Sequence, residues 1–348
     1  MVIIRKANQG DNEGLLRLTE LTPMLGEIGI RIDRKPDFFK LLNLLGNSIV
    51  IIAEENGEII GCVSAVDEGV LIKGKHRTIT YLGDLKIHPD YRKTRLAYRL
   101  IKFIWQEYEK IDVDIIFCTV SYGNDKIMPF FSGKAGFPIF EIAGIFHVLQ
   151  ILPSRFKYKS SKYKIMEIEN FQDIKQLYSK FYSSYSFCSD YNNIPEKNIR
   201  HFAATDNEGI KAAVTLYDSQ FARQNVLIHI PLIMNISLFA LRFINSIYKF
   251  WRLPKLNNCI ELLSVKSFAF TEEEAFKFLM KKVRNIAFDE DYMFILIGLH
   301  EKDMRLKLFK KFPKFVYKSI GFVAGIKTNS DGLHEIFDGI SFYDYSLH

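Results

Sequence analysis

The apolar positions of this chain switch repeatedly between the two-residue period of a strand and the three-to-four-residue period of a helix. Val2 to Ala7 alternates as a strand, while Asn12 to Thr22 and Pro36 to Leu45 repeat as helices. Ser48 to Glu54 and Glu58 to Asp67 flank Glu55-Asn56-Gly57, whose Asn-Gly pair tolerates positive φ and predicts a hairpin. A long strand starting at Thr78 stops at Ile87, before His88-Pro89, and a helix runs from Leu96 to Lys110. Asp114 to Val120 reads as a buried strand, Asp125 to Phe131 as a short helix, and Ile139 to Ile151 as two further strands.

The pattern breaks at Pro153 to Lys164, which carries five cations, no acid and little apolar content, as a solvated linker does. It then starts again with a strand at Ile165 to Ile168. Ile260 to Phe268 is a strand, Glu272 to Phe288 a helix, Tyr292 to Leu299 a strand and Lys302 to Lys311 a helix, which is the order of the first half in outline. Phe137-Pro138-Ile139-Phe140 and Phe312-Pro313-Lys314-Phe315 occupy the same place near the end of each half. The expectation is an α/β protein of two tandem domains, 1–152 and 165–348, joined by the basic linker 153–164. Each would hold a mixed central sheet flanked by helices. Leu232 to Trp251 is strongly apolar, but Asn235, Arg242, Asn245, Ser246 and Lys249 form a polar stripe at helical spacing. It reads as an amphipathic helix packed on the core or on a partner, not as a membrane span.

With 348 residues, 48% hydrophobic and 25% charged, the chain has the composition of a soluble globular protein and is long enough for two cores. The formal charge is +7, yet Lys and Arg are spread along the chain and no zinc-finger, RNP or basic-zipper pattern concentrates them. Specific nucleic-acid binding is not expected. Cys62, Cys118, Cys188 and Cys259 lack CxxC spacing, so neither a metal site nor a disulfide framework is expected. The first residues lack the apolar run of a secretory signal, and the expectation is a reducing cytoplasm.

The most informative stretch is residues 81–98. A strand there runs through the basic turn Arg92-Lys93-Thr94-Arg95 into the start of a helix. Unpaired N–H groups and the helix dipole favour an anion at such a place, and three cationic side chains suit a diphosphate. The segment resembles the acetyl-CoA-binding stretch of the GCN5-related N-acetyltransferases (GNATs). Their pattern is a strand ending Asp-Leu-x-Val-x-Pro-x-Tyr-Arg, then x-x-Gly-x-Gly/Ala and a helix. Asp84-Leu85-Lys86-Ile87-His88-Pro89-Asp90-Tyr91-Arg92 fits position by position, and Ala97 takes the second small position. Arg95 stands where the first glycine is usual, and a guanidinium there could serve the phosphate itself.

The resemblance implies two tandem GNAT-like domains, with acetyl-CoA as cosubstrate and no metal. It implies that the main chain of Leu85, Lys86 and Ile87 bonds the pantetheine and offers an N–H to the thioester oxygen. By the same resemblance, Arg92, Lys93, Thr94, Arg95, Leu96 and Ala97, with Tyr98, would hold the pyrophosphate, and Asn124 and Phe131 would touch the cofactor. Acetyl transfer also needs a base for the amine and an acid for the departing thiolate. Asp84 matches the acidic position of the strand, with an ordering role as the other reading, and His88 is a lesser candidate. The tyrosine that often precedes the Gly-Phe pair as acid falls on Phe131 and Ser132, so Ser132 is the hydroxyl there. Tyr122 is a substitute, and Tyr317 stands at the same spacing before Gly321-Phe322.

In the second half, Thr271-Glu272-Glu273-Glu274 replaces the basic turn. Thr271 and Glu274 have the spacing of a capping box, and three carboxylates would repel a pyrophosphate, so this half should not bind CoA. The expected function is direct N-acylation of a small-molecule or peptide amine, with a degenerate second domain covering the acceptor site. The stretch Leu21 to Asp37, with Met24, Glu27 and Arg31, is the expected acceptor element. The rival reading is a catalytically silent CoA-binding or interaction protein. A homodimer stays open.

Overall fold

The computed structural model describes residues 1–24, 28–108, 115–124, 127–133, 137–232, 235–236, 238–239, 242–243, 245, 252–325, 333 and 339–348. The first half contains β1 (Ile3–Lys6), α1 (Asn12–Leu21), β2 (Gly29–Asp33), α2 (Phe38–Leu45), β3 (Ser48–Glu55) and β4 (Glu58–Ile72). It continues with β5 (Lys75–Ile87), α3 (Leu96–Tyr108), β6 (Ile115–Ser121), α4 (Met128–Phe131) and β7 (Glu141–Ile151). The second half contains β8 (Lys164–Ile168), α5 (Gln172–Tyr182), β9 (Phe187–Ser189), β10 (Ile199–Asp206), β11 (Gly209–Tyr217) and β12 (Gln224–His229). It ends with β13 (Leu262–Phe270), α6 (Glu273–Asp289), β14 (Phe294–His300), β15 (Lys314–Gly325) and β16 (Ser341–Phe342).

Two elements differ from the periodicity. Ile139 to Ile151 forms one strand, β7, not two. Lys302 to Lys311 forms only a 3-10 helix, Met304–Phe309. Its start is fixed by the buried Asp303, whose carboxylate accepts from Arg305 N at 2.9 Å, and Pro313 follows closely. Pro313 disfavours helical backbone at Phe312, so the run stops short of it.

The main sheet runs β1-β3-β4-β5-β6-β15-β7-β14-β13-β11-β10-β8. This order is a palindrome of the two halves, with the final strand of each exchanged. β15, from the second half, pairs antiparallel with β6 (Phe322 opposite Cys118). β7, from the first half, pairs antiparallel with β14 (Ile151 opposite Ile295). The two exchanged strands pair with each other at the centre, Tyr317 opposite Val148. A cut at the linker would therefore remove an interior strand from each half.

Helices cover the sheet by ordinary amphipathic logic. α3 buries Leu96, Leu100, Ile104 and Tyr108, four residues apart, against Ile51, Ala53 and Val63 of β3 and β4. α6 buries Ala275, Phe276, Leu279, Met280 and Val283 in an aromatic-rich core with Phe181, Phe268 and Phe309. The segment 153–163 lies along α6. Ser154 N donates to Arg284 O, and Asn285 Nδ2 donates to Ser154 O at 2.5 Å and to Phe156 O at 2.8 Å. β2 and β12 form a separate ribbon between the halves, Gln224 opposite Asp33 and Val226 opposite Arg31.

Described residues between 232 and 245 are helical, but the exposed ones are Leu232, Ile236, Phe239 and Phe243, while Asn235 and Arg242 are half-buried. Asn235 and Arg242 of the expected polar stripe therefore lie off the exposed face, and Arg242 Nη2 donates to Pro254 O at 2.6 Å, while Ser246 and Lys249 lie outside the described residues. Among the described residues no helix is long and apolar enough to cross a membrane.

Candidate functional site

Among the described residues, β5 and β6 pair in parallel at two positions, Thr80 with Ile116 and Tyr81 with Phe117. Past Tyr81 they separate, and β6 keeps only β15 as its neighbour out to Ser319 opposite Ser121. β5 continues against β4, Lys86 opposite Cys62 and Ile87 opposite Gly61. A bulge between Cys62 and Ser64 sets Asp84 at φ 52°. Such bulges re-aim the chain and commonly adjoin functional sites. Leu85, Lys86 and Ile87 thus lie on a strand edge that opens into a wedge.

The basic turn follows directly. Pro89–Tyr91 forms a 3-10 turn, with His88 Nδ1 accepting from Asp90 N at 3.4 Å. Tyr91 OH donates to Glu55 Oε2 at 2.7 Å and pins the turn to β3. Thr94 Oγ1 donates to Tyr91 O and accepts from Leu96 N at 3.2 Å, so it caps α3. Leu96 turns its side chain into the core, leaving only its main chain to the turn. Arg92, Lys93 and Arg95 are exposed and have no ion pair among the described residues. Three uncompensated cations therefore stand at the N-terminus of a 13-residue helix.

The remaining predicted positions lie on the β6 side. Tyr98 places its ring 4.4 Å from Phe130 and 6.0 Å from Phe137, tying α3 to α4. Phe131 packs on Phe322 at 4.4 Å and on Phe140 at 4.8 Å. Asn124 is exposed, with its N–H on Ser121 O. Ser132 is also exposed, and its hydroxyl donates to Pro129 O at 3.0 Å. Tyr122 N donates to Lys318 O, which joins the end of β6 to β15. Gly136 and Glu27 lie outside the described residues. Met24 bridges Ile30, and Arg31 is spent on Asp33 at 2.7 and 2.8 Å.

At the closed end of the wedge sits a charge cluster that the sequence did not reveal. Asp84 Oδ1 accepts from Arg34 Nη2 at 2.8 Å and Oδ2 from Ser64 Oγ at 2.8 Å. Burial alone would raise the Asp84 pKa. The charges of Arg34 and Lys86, the Ser64 bond and Arg223 outweigh it and hold the carboxyl below its ordinary value. Lys86 moves the same way for a different reason: burial lowers its pKa against the pull of Asp84 and Cys62, and Arg34 and Arg223 lower it further. Arg223, just before β12, is within electrostatic reach of Tyr317, Arg34, Tyr81 and Asp84. The second half thus contributes Arg223 and Tyr317 to a cleft whose strands belong to the first. Arg34 lies inside the predicted acceptor stretch, but nothing in its spacing separated it from Arg31.

The pseudo-equivalent place in the second half is closed. β13 and β14 pair only at Leu262–Ser264, and β13 bulges at Lys266, much as β5 does. Here Tyr178 OH donates to Ser267 O and Tyr182 OH accepts from Phe268 N at 3.2 Å, so tyrosines occupy the strand edge. Lys266, in the bulge, is buried against Asp344 at 2.6 Å. A cavity of about 30 Å³ beside this pair and Glu68 has room for about one water. Only Thr271 and Glu272 connect β13 to α6, where His88 to Arg95 connect β5 to α3. The predicted capping box does not form. Glu272 is the N-cap without a side-chain cap bond, because its carboxylate takes Lys162 Nζ and Tyr163 OH, each at 2.7 Å. Thr271 instead donates to Lys211 O.

Residues 20–137 match the model of the acetyltransferase (GNAT) family. No curated protein sequence matches the chain. Among solved structures, Saccharomyces cerevisiae N-myristoyltransferase with bound myristoyl-CoA superposes with a TM-score of 0.59 at 13% identity, over 93% of this chain and 78% of that one. A GCN5-related N-acetyltransferase from Anabaena variabilis gives 0.52 at 12%, over 93% and 72%. A conserved protein of unknown function from Enterococcus faecalis gives 0.52 at 11%, over 92% and 72%. The fold is the tandem GNAT-like one, two halves around one mixed sheet.

Proposed function

We propose that this chain, whose residues 20–137 match the GNAT family, is an acyl-CoA-dependent N-acyltransferase that acts by direct transfer in a ternary complex. The observation that carries this reading is the wedge past Tyr81, open along Leu85 to Ile87 and followed at once by the basic turn. The residues suit a CoA thioester. An unpaired strand edge can bond an extended pantetheine, and Arg92, Lys93 and Arg95 offer charge-assisted donors to the diphosphate. Tyr98 of α3, Asn124 after β6 and Phe131 of α4 are assigned to the same mouth. We assign the chemical work to 1–152 and the closure of the cleft to 165–348, with strands β7 and β15 exchanged between them.

In the transfer, the amine nitrogen bonds to the thioester carbon, the C–S bond breaks, the amine gives up a proton and the thiolate gains one. Asp84 is ionised throughout the neutral range and can take the amine proton. Its two hydrogen bonds hold it in place and lower its basicity. Lys86, whose pKa burial lowers, lies on the same strand. Ser132, which would have to leave Pro129 O, Tyr122 and Tyr317 are the candidate hydroxyls for the thiolate. The silent CoA-binding reading draws on the two bonds that already occupy Asp84. Four free thiols, three of them buried, suit a reducing compartment such as the cytoplasm. The test is calorimetry of acetyl-CoA and a long-chain acyl-CoA on the full chain, with thiol release in a mixed amine panel. Binding with turnover supports the enzyme, binding without turnover supports the silent reading, and no binding removes both.

A further inference from the structure

We propose that the acceptor amine carries a carboxylate, held between Arg34 and Arg223 at the closed end of the wedge. This rests on the acyl-transfer reading above and adds the acceptor's chemical class to it. Three cations, Arg34, Lys86 and Arg223, surround one carboxylate, Asp84. Asp84 carries one negative charge against three cations, and its bonds go to Arg34 Nη2 and Ser64 Oγ. Arg34 Nε, Arg34 Nη1 and Arg223 Nε are buried without a hydrogen-bond partner among the described residues. Buried guanidinium donors left unpaired are costly, and an anion supplied by a ligand removes that cost.

The two arginines are held together by the fold. Arg34 leaves the end of β2 and Arg223 enters the start of the paired strand β12. Gln224 fixes that end of the ribbon by bonding both main-chain groups of Lys35. The donors belong to this ribbon and not to the β5 edge or the basic turn, which places the anion on the acceptor and not on CoA. Entry lies on the side of Tyr317, 41% exposed, and the half-buried Lys86 and Arg223, while Arg34 and Asp84 form the floor. The two guanidiniums exceed the Asp84 carboxylate by one positive charge, which a monoanion balances. That favours a carboxylate over a phosphate dianion. The amine of an amino acid bound this way would face Asp84 and Lys86.

The test uses the full chain with acetyl-CoA and palmitoyl-CoA, and reads thiol release with each of the twenty amino acids, their carboxamides, and phosphoethanolamine. At least one free amino acid should exceed its carboxamide in kcat/KM by about tenfold or more, the cost of leaving a charged hydrogen bond unmade. Arg223→Gln should shrink that ratio toward one while leaving CoA affinity by calorimetry unchanged. The acid–amide comparison on the unaltered protein stands even where the variant folds poorly. Carboxamides that match their acids, phosphoethanolamine above every amino acid, or no response to any amino acid would overturn the proposal. Loss of CoA binding in the unaltered chain would instead remove the acyl-transfer reading, and this proposal with it.

Discussion

The side-chain amide of Gln224 closes on the main chain of Lys35 from both sides, accepting from Lys35 N at 3.0 Å and donating to Lys35 O at 3.1 Å. These residues belong to different halves, and the paired bonds set Arg34 and Arg223 beside one cleft. Lys35 also pairs with Glu20, so the same residue links the ribbon to α1.

Gln224→Ala should therefore loosen the join between the halves. Three lost hydrogen bonds, two to Lys35 and one to Gln220 O, amount to about 1.5–4.5 kcal/mol. Urea unfolding should show a lower midpoint, and acceptor KM should rise with CoA affinity unchanged. An unaltered midpoint and KM would mean that the ribbon is held by its ladder alone.

Charge reversal at Arg92 or Arg95 should weaken acetyl-CoA binding by about tenfold to a hundredfold, the range of a charge-assisted bond. Neither side chain is paired with another described residue, so thermal stability should not change. Calorimetry on the full chain should also return one site, because Tyr182 and Lys266 close the second half. A stoichiometry of two would contradict that closure.

Asp84→Asn removes the counter-charge of a buried arginine, which typically costs about 3–5 kcal/mol. Stability and turnover should both fall, while CoA affinity persists, since the cofactor is held by main chain and the turn. The sign with pH follows from a folded pKa below the unfolded value of about 3.9. The stabilising contribution is full above that value and is lost as pH falls through the folded one. Urea unfolding of both proteins at neutral and acid pH should show the gap narrowing on acidification. Full activity in a stable variant would exclude Asp84 as the base.

His300 is buried and neutral by construction: Lys302 N donates to its Nδ1 at 3.3 Å, and its Nε2 lies 3.2 Å from Ala143 O. Burial lowers its pKa, and Gly144 at φ 129° is needed because a Cβ there would collide with Nε2. The unfolded chain therefore takes up a proton first as pH falls below about 6.5. Stability should drop there by up to about 1.4 kcal/mol per pH unit for this group. His300→Gln keeps a donor toward Ala143 and should flatten the slope between pH 7 and 5. A wild-type slope in that variant would assign the titration elsewhere.

Much of the candidate site was legible because its signals are local. The run Asp84 to Arg92 carries its own strand end, turn and helix start, and the structure puts those elements where the periodicity placed them. The capping box at Thr271 failed for the opposite reason. Its local spacing was correct, but Thr271 is drawn to Lys211 O, distant in sequence, the N-cap falls on Glu272, and Glu274 turns to Lys277. Arg34 and Arg223 gave no local signal, since each is an ordinary arginine until Asp84 and the ribbon bring them together.

The sequence by itself determined most of the element order of the first half, the outline of its repeat and the basic turn, since these follow from periodicity and short-range chemistry. Only the tertiary structure decided that β7 and β15 trade places. Both are apolar strands, and either could have paired with its own half. What selects a partner is the register and burial available across the finished sheet, for which no nearby residue codes. The same holds for the cluster around Asp84, whose charges come from three distant segments and whose shifts in proton affinity arise only once burial has removed the water between them.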